Sequence, residues 1–189
     1  MKKVNKLIAV LGASGSGKDT IVNRLRFRID NVSKLMLYTS RPQRSYEEEG
    51  VDYYFRDEDF FNTDDFLIKT DFVYGHYGIK ESSFSKDVIN VTGQISPRDI
   101  FKLPPSIETK IFVLDVADST RLKRLLDREV NPDIDEIFRR YYSDKNDFEL
   151  FEEYIKLNNI EVTHLVNENS FQLINNVEKI SYAIRAWTK

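Results

Sequence analysis

The stretch Leu7-Ile8-Ala9-Val10-Leu11-Gly12-Ala13-Ser14-Gly15-Ser16-Gly17-Lys18-Asp19-Thr20 decides how the chain folds. Its first five residues are a continuous apolar run, as in a strand buried on both faces. After it, Ile21, Val22, Leu25 and Ile29 recur at roughly helical spacing. Strand, glycine-rich loop and helix in this order satisfy the P-loop pattern G-x-x-x-x-G-K, except that Asp19 stands where Ser or Thr usually follows. The residue types have a physical reason. Gly12, Gly15 and Gly17 let backbone amides curl around a polyphosphate, the helix N-terminus adds its positive end, and Lys18 reaches the outer phosphate oxygens. A plain glycine turn would leave the lysine at the helix start without a purpose. Gly12, Ser14, Gly15, Ser16, Gly17, Lys18, Asp19 and Thr20 are therefore the expected nucleotide-triphosphate-binding set.

The chain has 189 residues, enough for one domain with a small insertion and a real core. A net charge of −3 argues against a general nucleic-acid binder, which would usually be basic. There is no cysteine, so neither disulfides nor thiolate metal sites can form. The five apolar residues before Gly12 are too few for a signal-peptide core or a membrane span. The expectation is a cytoplasmic protein, without nucleic-acid or membrane partners, present as a monomer or homodimer.

Further along, Leu35–Tyr38 reads as a short buried strand and Val51–Phe55 as an alternating one. Asp57–Phe66 reads as helical with Phe60 and Phe61 inside, and 66–77 as extended. Val88–Val91 and Ile111–Leu114 read as buried parallel strands, with a weak helix near Pro97–Leu103 between them. Ser119 is placed to cap a helix reaching about Arg128, and a charged helix spans about Ile134–Leu157. A last strand at Val162–Val166 precedes a helix from Ser170 with Phe171, Ile174, Val177 and Ile180 on one side. Strands alternating with helices imply a parallel sheet covered on both faces, with ligands at its C-terminal edge. Residues 40–80 break the alternation, as an inserted lobe would.

That segment contains a second constellation. Arg41 and Arg44, three apart, precede Tyr53, Tyr54 and, later, Tyr77. Planar guanidinium forks and phenolic hydroxyls suit a second phosphate, although a solvated charged loop balanced by Glu47, Glu48 and Glu49 reads equally well from the residues. The run Thr39-Ser40-Arg41-Pro42-Gln43-Arg44 through Glu47, Gly50, Tyr53 and Phe55 resembles the guanylate kinase signature T-T-R-x-x-R-x-x-E-x-x-G-x-x-Y-x-F. The resemblance continues at Phe66-Leu67, at Tyr77-Gly78, at Arg124, Arg128 and Arg139 or Arg140, and at Val166-Asn167-Glu168, and so covers nearly the whole chain.

The resemblance implies an α/β P-loop kinase fold of three layers, with a parallel sheet, an inserted acceptor-binding lobe and a helical lid. It places the core at 1–39, 86–127 and 158–189, the acceptor lobe at 40–85 and the lid at 128–142. It implies that Arg41, Arg44, Tyr53 and Tyr77 hold the acceptor phosphate. Lys18, Arg124, Arg128, Arg139 and Arg140 would surround the phosphoryl group passing from ATP, with Mg²⁺. Such transfer depends on positioning and charge neutralisation, so a cluster of cations is the expected equipment. His76 and His164 are not needed for it.

The chain departs from that family where the base would be read. Leu37, Ile68 and Thr92 stand where guanylate kinases carry a serine, a glutamate and an aspartate, and Asn90 replaces a further aspartate. Ile79 replaces the hydroxyl residue after Y-G, and the link from there to the next strand is short. Leu37, Ile68 and Thr92 are thus expected in the acceptor pocket without its guanine-reading groups, Asp71 and Glu81 being the candidates for a compensating carboxylate. Asp19 would meet the metal through water or cap its helix, and Thr20 would meet the α-phosphate. The reading that follows is phosphoryl transfer to a (deoxy)nucleoside monophosphate with altered base choice; a resemblance to bacteriophage-type deoxynucleotide kinases, from G-K-D-T, is a further alternative. G-K-D, Asn90 with Thr92, and Y-G-Ile also look like ribose 1,5-bisphosphate kinases. A catalytically silent guanylate-kinase-like binding module is another alternative, although such modules typically lose the lysine or glycines kept here. A nucleotide switch fits least, for nothing resembles switch segments.

Overall fold

The structure, a computed structural model, describes residues 5–45, 47–72, 74–128 and 132–187. Strand β1 (Asn5–Leu11) lies in the middle of a five-stranded parallel sheet. Its order is β2 (Val32–Lys34), β7 (Ile89–Thr92), β1, β8 (Ile107–Asp115), β9 (Thr163–Val166). The apolar run of β1 divides by parity. Leu7, Ala9 and Leu11 enter one core, and Ile8 and Val10 the other. Complete burial of each such Leu, Ile or Val contributes about 1.5–3 kcal/mol, which is why this strand can take no polar residue on either face.

Helices α1 (Lys18–Arg28) and α4 (Ser170–Trp187) cover the Ile8 face, and α3 (Ile134–Leu157) covers the other with Phe151 and Ile155. This is the three-layer α/β arrangement. Helix α4 starts where expected but turns a different stripe inward. Leu173, Val177, Ile180 and Ile184 face the core, while Phe171 and Ile174 are 72% and 48% exposed. Steps of three residues drift about 60° round a helix, so the expected set from 171 slides off the buried face.

A second, four-stranded sheet has the order β4 (Tyr54–Phe55), β3 (Tyr38–Thr39), β6 (Gly75–Lys80), β5 (Phe66–Phe72). Several expectations change here. The strand expected at Leu35–Tyr38 is instead a crossing: β2 ends at Lys34, β3 starts at Tyr38 in the other sheet, and buried Leu35–Leu37 pass between. The helix expected at Asp57–Phe66 is a single 3₁₀ turn at Asp59–Phe61, because Phe66 belongs to β5 and stacks on Phe61 at 5.2 Å. The extended run of 66–77 folds back on itself as β5 and β6, antiparallel, and β6 continues to Lys80. Pro97–Leu103 forms only a 3₁₀ turn at Ile100–Lys102.

Helix α2 (Asp118–Leu126) begins one residue before Ser119, and no side chain of its N-cap residue caps it. The Glu168 carboxylate instead accepts from the Ala117 amide ahead of it. Helix α3 is capped by Asp133, whose Oδ1 accepts from the Glu136 amide at 3.0 Å. Of the expected lid, residues 129–131 lie outside the described residues.

Candidate active site

The loop between β1 and α1 is held from three sides. Gly15 and Gly17 have φ of +81° and +94°, and a Cβ on Gly15 would lie 2.8 Å from the Arg121 carbonyl oxygen. Only glycine meets both conditions. Arg124 donates to the Gly15 carbonyl at 3.1 Å and to the Asn167 carbonyl at 2.9 Å. Asn167, from the segment after β9, donates to the Ser16 carbonyl at 2.7 Å. Under the loop the Ser16 hydroxyl is buried without a hydrogen-bond partner. Lys18 folds back to donate to the Gly12 and Ala13 carbonyls, at 2.6 and 3.2 Å. Burial pulls its pKa below the ordinary lysine value, against the nearby charges of Asp144 and Asp19. Asp19 and Thr20 are exposed, and α1 has Gly17 as N-cap with no side-chain cap, so Asp19 does not cap the helix.

Across a cleft of about 240 Å³ stands the second constellation. One continuous concavity is lined by Gly12, Gly15 and Lys18 on one side and by Arg44, Tyr53 and Tyr77 on the other. Arg41 lies behind this wall, only 4% exposed. It donates from Nε to the Tyr77 hydroxyl at 2.8 Å and from both terminal nitrogens to Glu47, at 2.7 and 2.5 Å, beneath the Tyr53 ring. Burial opposes both charges, yet the paired hydrogen bonds win, raising the Arg41 pKa and holding Glu47 below the usual carboxylate range. Burial pushes the Tyr53 and Tyr77 phenols up, so both hydroxyls stay protonated donors at neutral pH. Arg44 reaches Glu47 and Glu136, both at 3.4 Å. Tyr54 packs against Tyr38 with tilted rings 5.2 Å apart and does not line the cleft.

The expected lid arginines divide. Arg128 and Arg140 line the cleft, and Arg140 donates to Glu136 at 2.7 Å. Arg124 braces the loop as described, and Arg139 lies 4.0 Å over the Tyr74 ring. Neither of these two lines the cleft.

The far end of the cleft is aliphatic. Leu37, Ile68 and Ile79 line it together with Ile95 and Phe148. Thr92 does not line it. It is fully buried, and its hydroxyl accepts from the amide of Gln94, which does. Asp71 is 70% exposed at its side chain and pairs with His76, and neither it nor Glu81 lines the cleft. His164 pairs with Asp115 at the surface.

Sequence reading missed several lining residues. Asp99 and Asp147 line the cleft but are engaged, Asp99 with Thr70, Ser96 and Lys102, Asp147 with Arg98 at 2.5 Å. Asp144 also lines it and was not anticipated. The available signal was spacing: Glu136, Arg140, Asp144 and Asp147 follow one another at helical intervals within one charged helix.

A P-loop opening a helix at the C-terminal edge of a parallel sheet, facing a mixed four-stranded sheet across one cleft, defines a P-loop α/β protein. A family model described as Guanylate kinase matches residues 4–134, and the chain belongs to the guanylate kinase family. The guanylate kinase of Malacoplasma penetrans is 28% identical over 94% of this chain and 88% of its own length. That of Corynebacterium diphtheriae is 26% identical over 94% of each. Among solved structures, guanylate kinase from Anaplasma phagocytophilum superposes with a TM-score of 0.62 over 98% of this chain and 87% of its own, at 20% identity, which establishes the shared fold.

Proposed function

We propose that this chain transfers the terminal phosphoryl group of ATP to the phosphate of a (deoxy)nucleoside monophosphate, through an acceptor pocket that no longer selects guanine. The observation that carries it is the single cleft with Lys18 and the glycine amides on one wall and Arg44, Tyr53 and Tyr77 on the other. The loop amides and Lys18 would hold the ATP phosphates. Arg44 and the two phenols would hold the acceptor phosphate, with Arg41 orienting Tyr77 and Tyr53 from behind. Arg128 and Arg140 would neutralise charge on the group in transit, and Arg139 would join them on closure. Arg124 acts by keeping the loop in shape. No general base is required, since a phosphate oxygen is already ionised at neutral pH. Mg²⁺, when bound with the nucleotide, supplies neutralisation of the β and γ oxygens. Asp19, exposed beside the loop, would contact a metal carried by the nucleotide through water.

In this reading residues 40–85 are the acceptor lobe, 128–142 the lid and the remainder the core. The protein works on small nucleotides in the cytoplasm. Among the described residues no helix is long and apolar enough to cross a membrane.

Guanine offers donors at N1 and N2, and aliphatic Ile68 and Ile79 cannot accept them. A site built on such hydrogen bonds loses about 10²- to 10⁵-fold in discrimination when the partners vanish. A coupled ADP-release assay over ribo- and deoxynucleoside monophosphates tests this. The expected result is an acceptor other than GMP turned over with kcat/KM at least about a hundredfold above that for GMP. Ordinary guanylate kinase efficiency with GMP would sink the base-choice claim. The replaced guanine-reading positions favour one second reading, a ribose 1,5-bisphosphate kinase-like activity, and that sugar phosphate belongs in the panel. No turnover with any acceptor, and no ATP binding, would leave the silent binding module.

A further inference from the structure

Helix α3 runs along the cleft and presents a row of carboxylates to both cradles. Asp144 Oδ2 accepts from the backbone amide of Ser14 at 2.6 Å. That amide belongs to the glycine-rich loop, and an amide there is the group that a donor phosphate would use. Two turns earlier on the same face, Glu136 lies 3.4 Å from Arg44 of the acceptor wall. One turn later, Asp147 closes on Arg98. Meanwhile the Lys18 ammonium is turned to the loop's own carbonyls. Donors of each cradle are thus engaged by acceptors from within the chain.

We propose that Asp144 is an intramolecular stand-in for a donor phosphate: it latches α3 onto the P-loop in the nucleotide-free protein and must be displaced before ATP binds. A carboxylate and a phosphate oxygen compete for the same amide, and both accept charge-assisted hydrogen bonds. Two negative groups cannot share that position, so ATP binds only to the fraction of molecules in which Asp144 has left. The apparent affinity is reduced by that fraction. Glu136 would act in the same sense on Arg44, more weakly, since its contact is longer and its carboxylate is shared with Arg139 and Arg140.

The inference rests on the donor-site reading above, and the test separates the two. ATP binding is measured by calorimetry for the wild type and for Asp144→Asn, Glu149→Gln and Lys18→Ala. Asp144→Asn keeps the shape but weakens the acceptor, while Glu149→Gln removes the same charge from an exposed position of α3. The expected result is an ATP Kd about tenfold tighter in Asp144→Asn, as for release of a mostly populated closed state. Glu149→Gln should change the Kd less than about twofold, since an exposed charge is screened by salt. Loss of binding in Lys18→Ala would establish the donor site independently. An unchanged or weaker Kd in Asp144→Asn, with that control behaving, would overturn the latch alone. No ATP binding by either the wild type or Asp144→Asn would overturn the donor-site reading and the latch with it. A thermal scan supplies a second readout. Asp144→Asn should lower the Tm of the nucleotide-free protein and raise the shift produced by saturating ATP, whereas a merely structural Asp144 would lower both scans equally.

Discussion

The two ends of the cleft are built on different principles. At the phosphate end, the work falls to backbone amides fixed by glycine and to side chains held in charge-assisted pairs. At the aliphatic end stand Leu37, Ile68 and Ile79, which in the proposed reading present methyl groups where a guanine would need acceptors. Phosphate is common to every nucleotide, so that end keeps its family equipment whatever the substrate. In that reading the aliphatic end would carry only the choice among nucleotides, and it would be rewritten without touching the chemistry.

The sharpest way to break this contrast is Lys18→Ala, which should lower kcat by about 10³-fold with any acceptor, because removing one cation from a phosphoryl-transfer site costs on that order. A loss confined to KM would mean that the lysine only binds. Next comes Ile68→Glu. It should raise kcat/KM for GMP about a hundredfold, and for no other base as much, by restoring an acceptor for guanine N1 and N2. No gain for GMP would show that the aliphatic wall is not where the base lies. Arg41→Ala should raise the acceptor KM about thirtyfold with ATP affinity nearly intact, as expected when one partner of a buried charge pair is truncated. A fall in ATP affinity instead would misplace that wall.

The Arg41–Glu47 pair also makes a pH prediction. The folded pKa of Glu47 lies below the unfolded value near 4.5, so its contribution to stability is complete above that value and is lost as the pH falls through the folded one. Wild type should therefore lose Tm more steeply than Glu47→Gln below about pH 4.5 and not differ in slope at neutral pH. The smallest effect is expected at the exposed Asp19. Asp19→Asn should raise the Mg²⁺ concentration for half-maximal rate by about threefold, as for an outer contact in solvent.

The parallel sheet was legible because Leu7–Leu11 of β1 and Ile111–Leu114 of β8 are buried on both faces and must be apolar. The P-loop was legible because its glycines meet local backbone demands. The acceptor lobe was harder. Phe60, Phe61 and Phe66 are apolar at helical spacing, yet Phe66 is claimed by pairing with β6, which no local pattern reveals. Leu35–Leu37 look like a strand because they are buried, although they cross between sheets. Within the site, the motif positions of Lys18, Arg44, Tyr53 and Tyr77 were readable. The placement of Arg41 and Thr92 behind the wall was not, since a side chain that positions another has the same sequence signature as one that touches ligand. Asp144 was missed because its partner is a backbone amide 130 residues away in sequence.

The brace on the glycine loop has a consequence for synthesis. Asn167 donates to the Ser16 carbonyl, and Asn176 of α4 donates to the Val166 carbonyl at 2.9 Å and to the Asn167 side chain at 3.3 Å. The glycine-rich loop is thus finished by a residue made 151 positions later in the chain. A ribosome-bound chain would lack that closing clasp until Asn176 emerges, so the loop could not be braced in its finished shape while only the first half of the fold has been made.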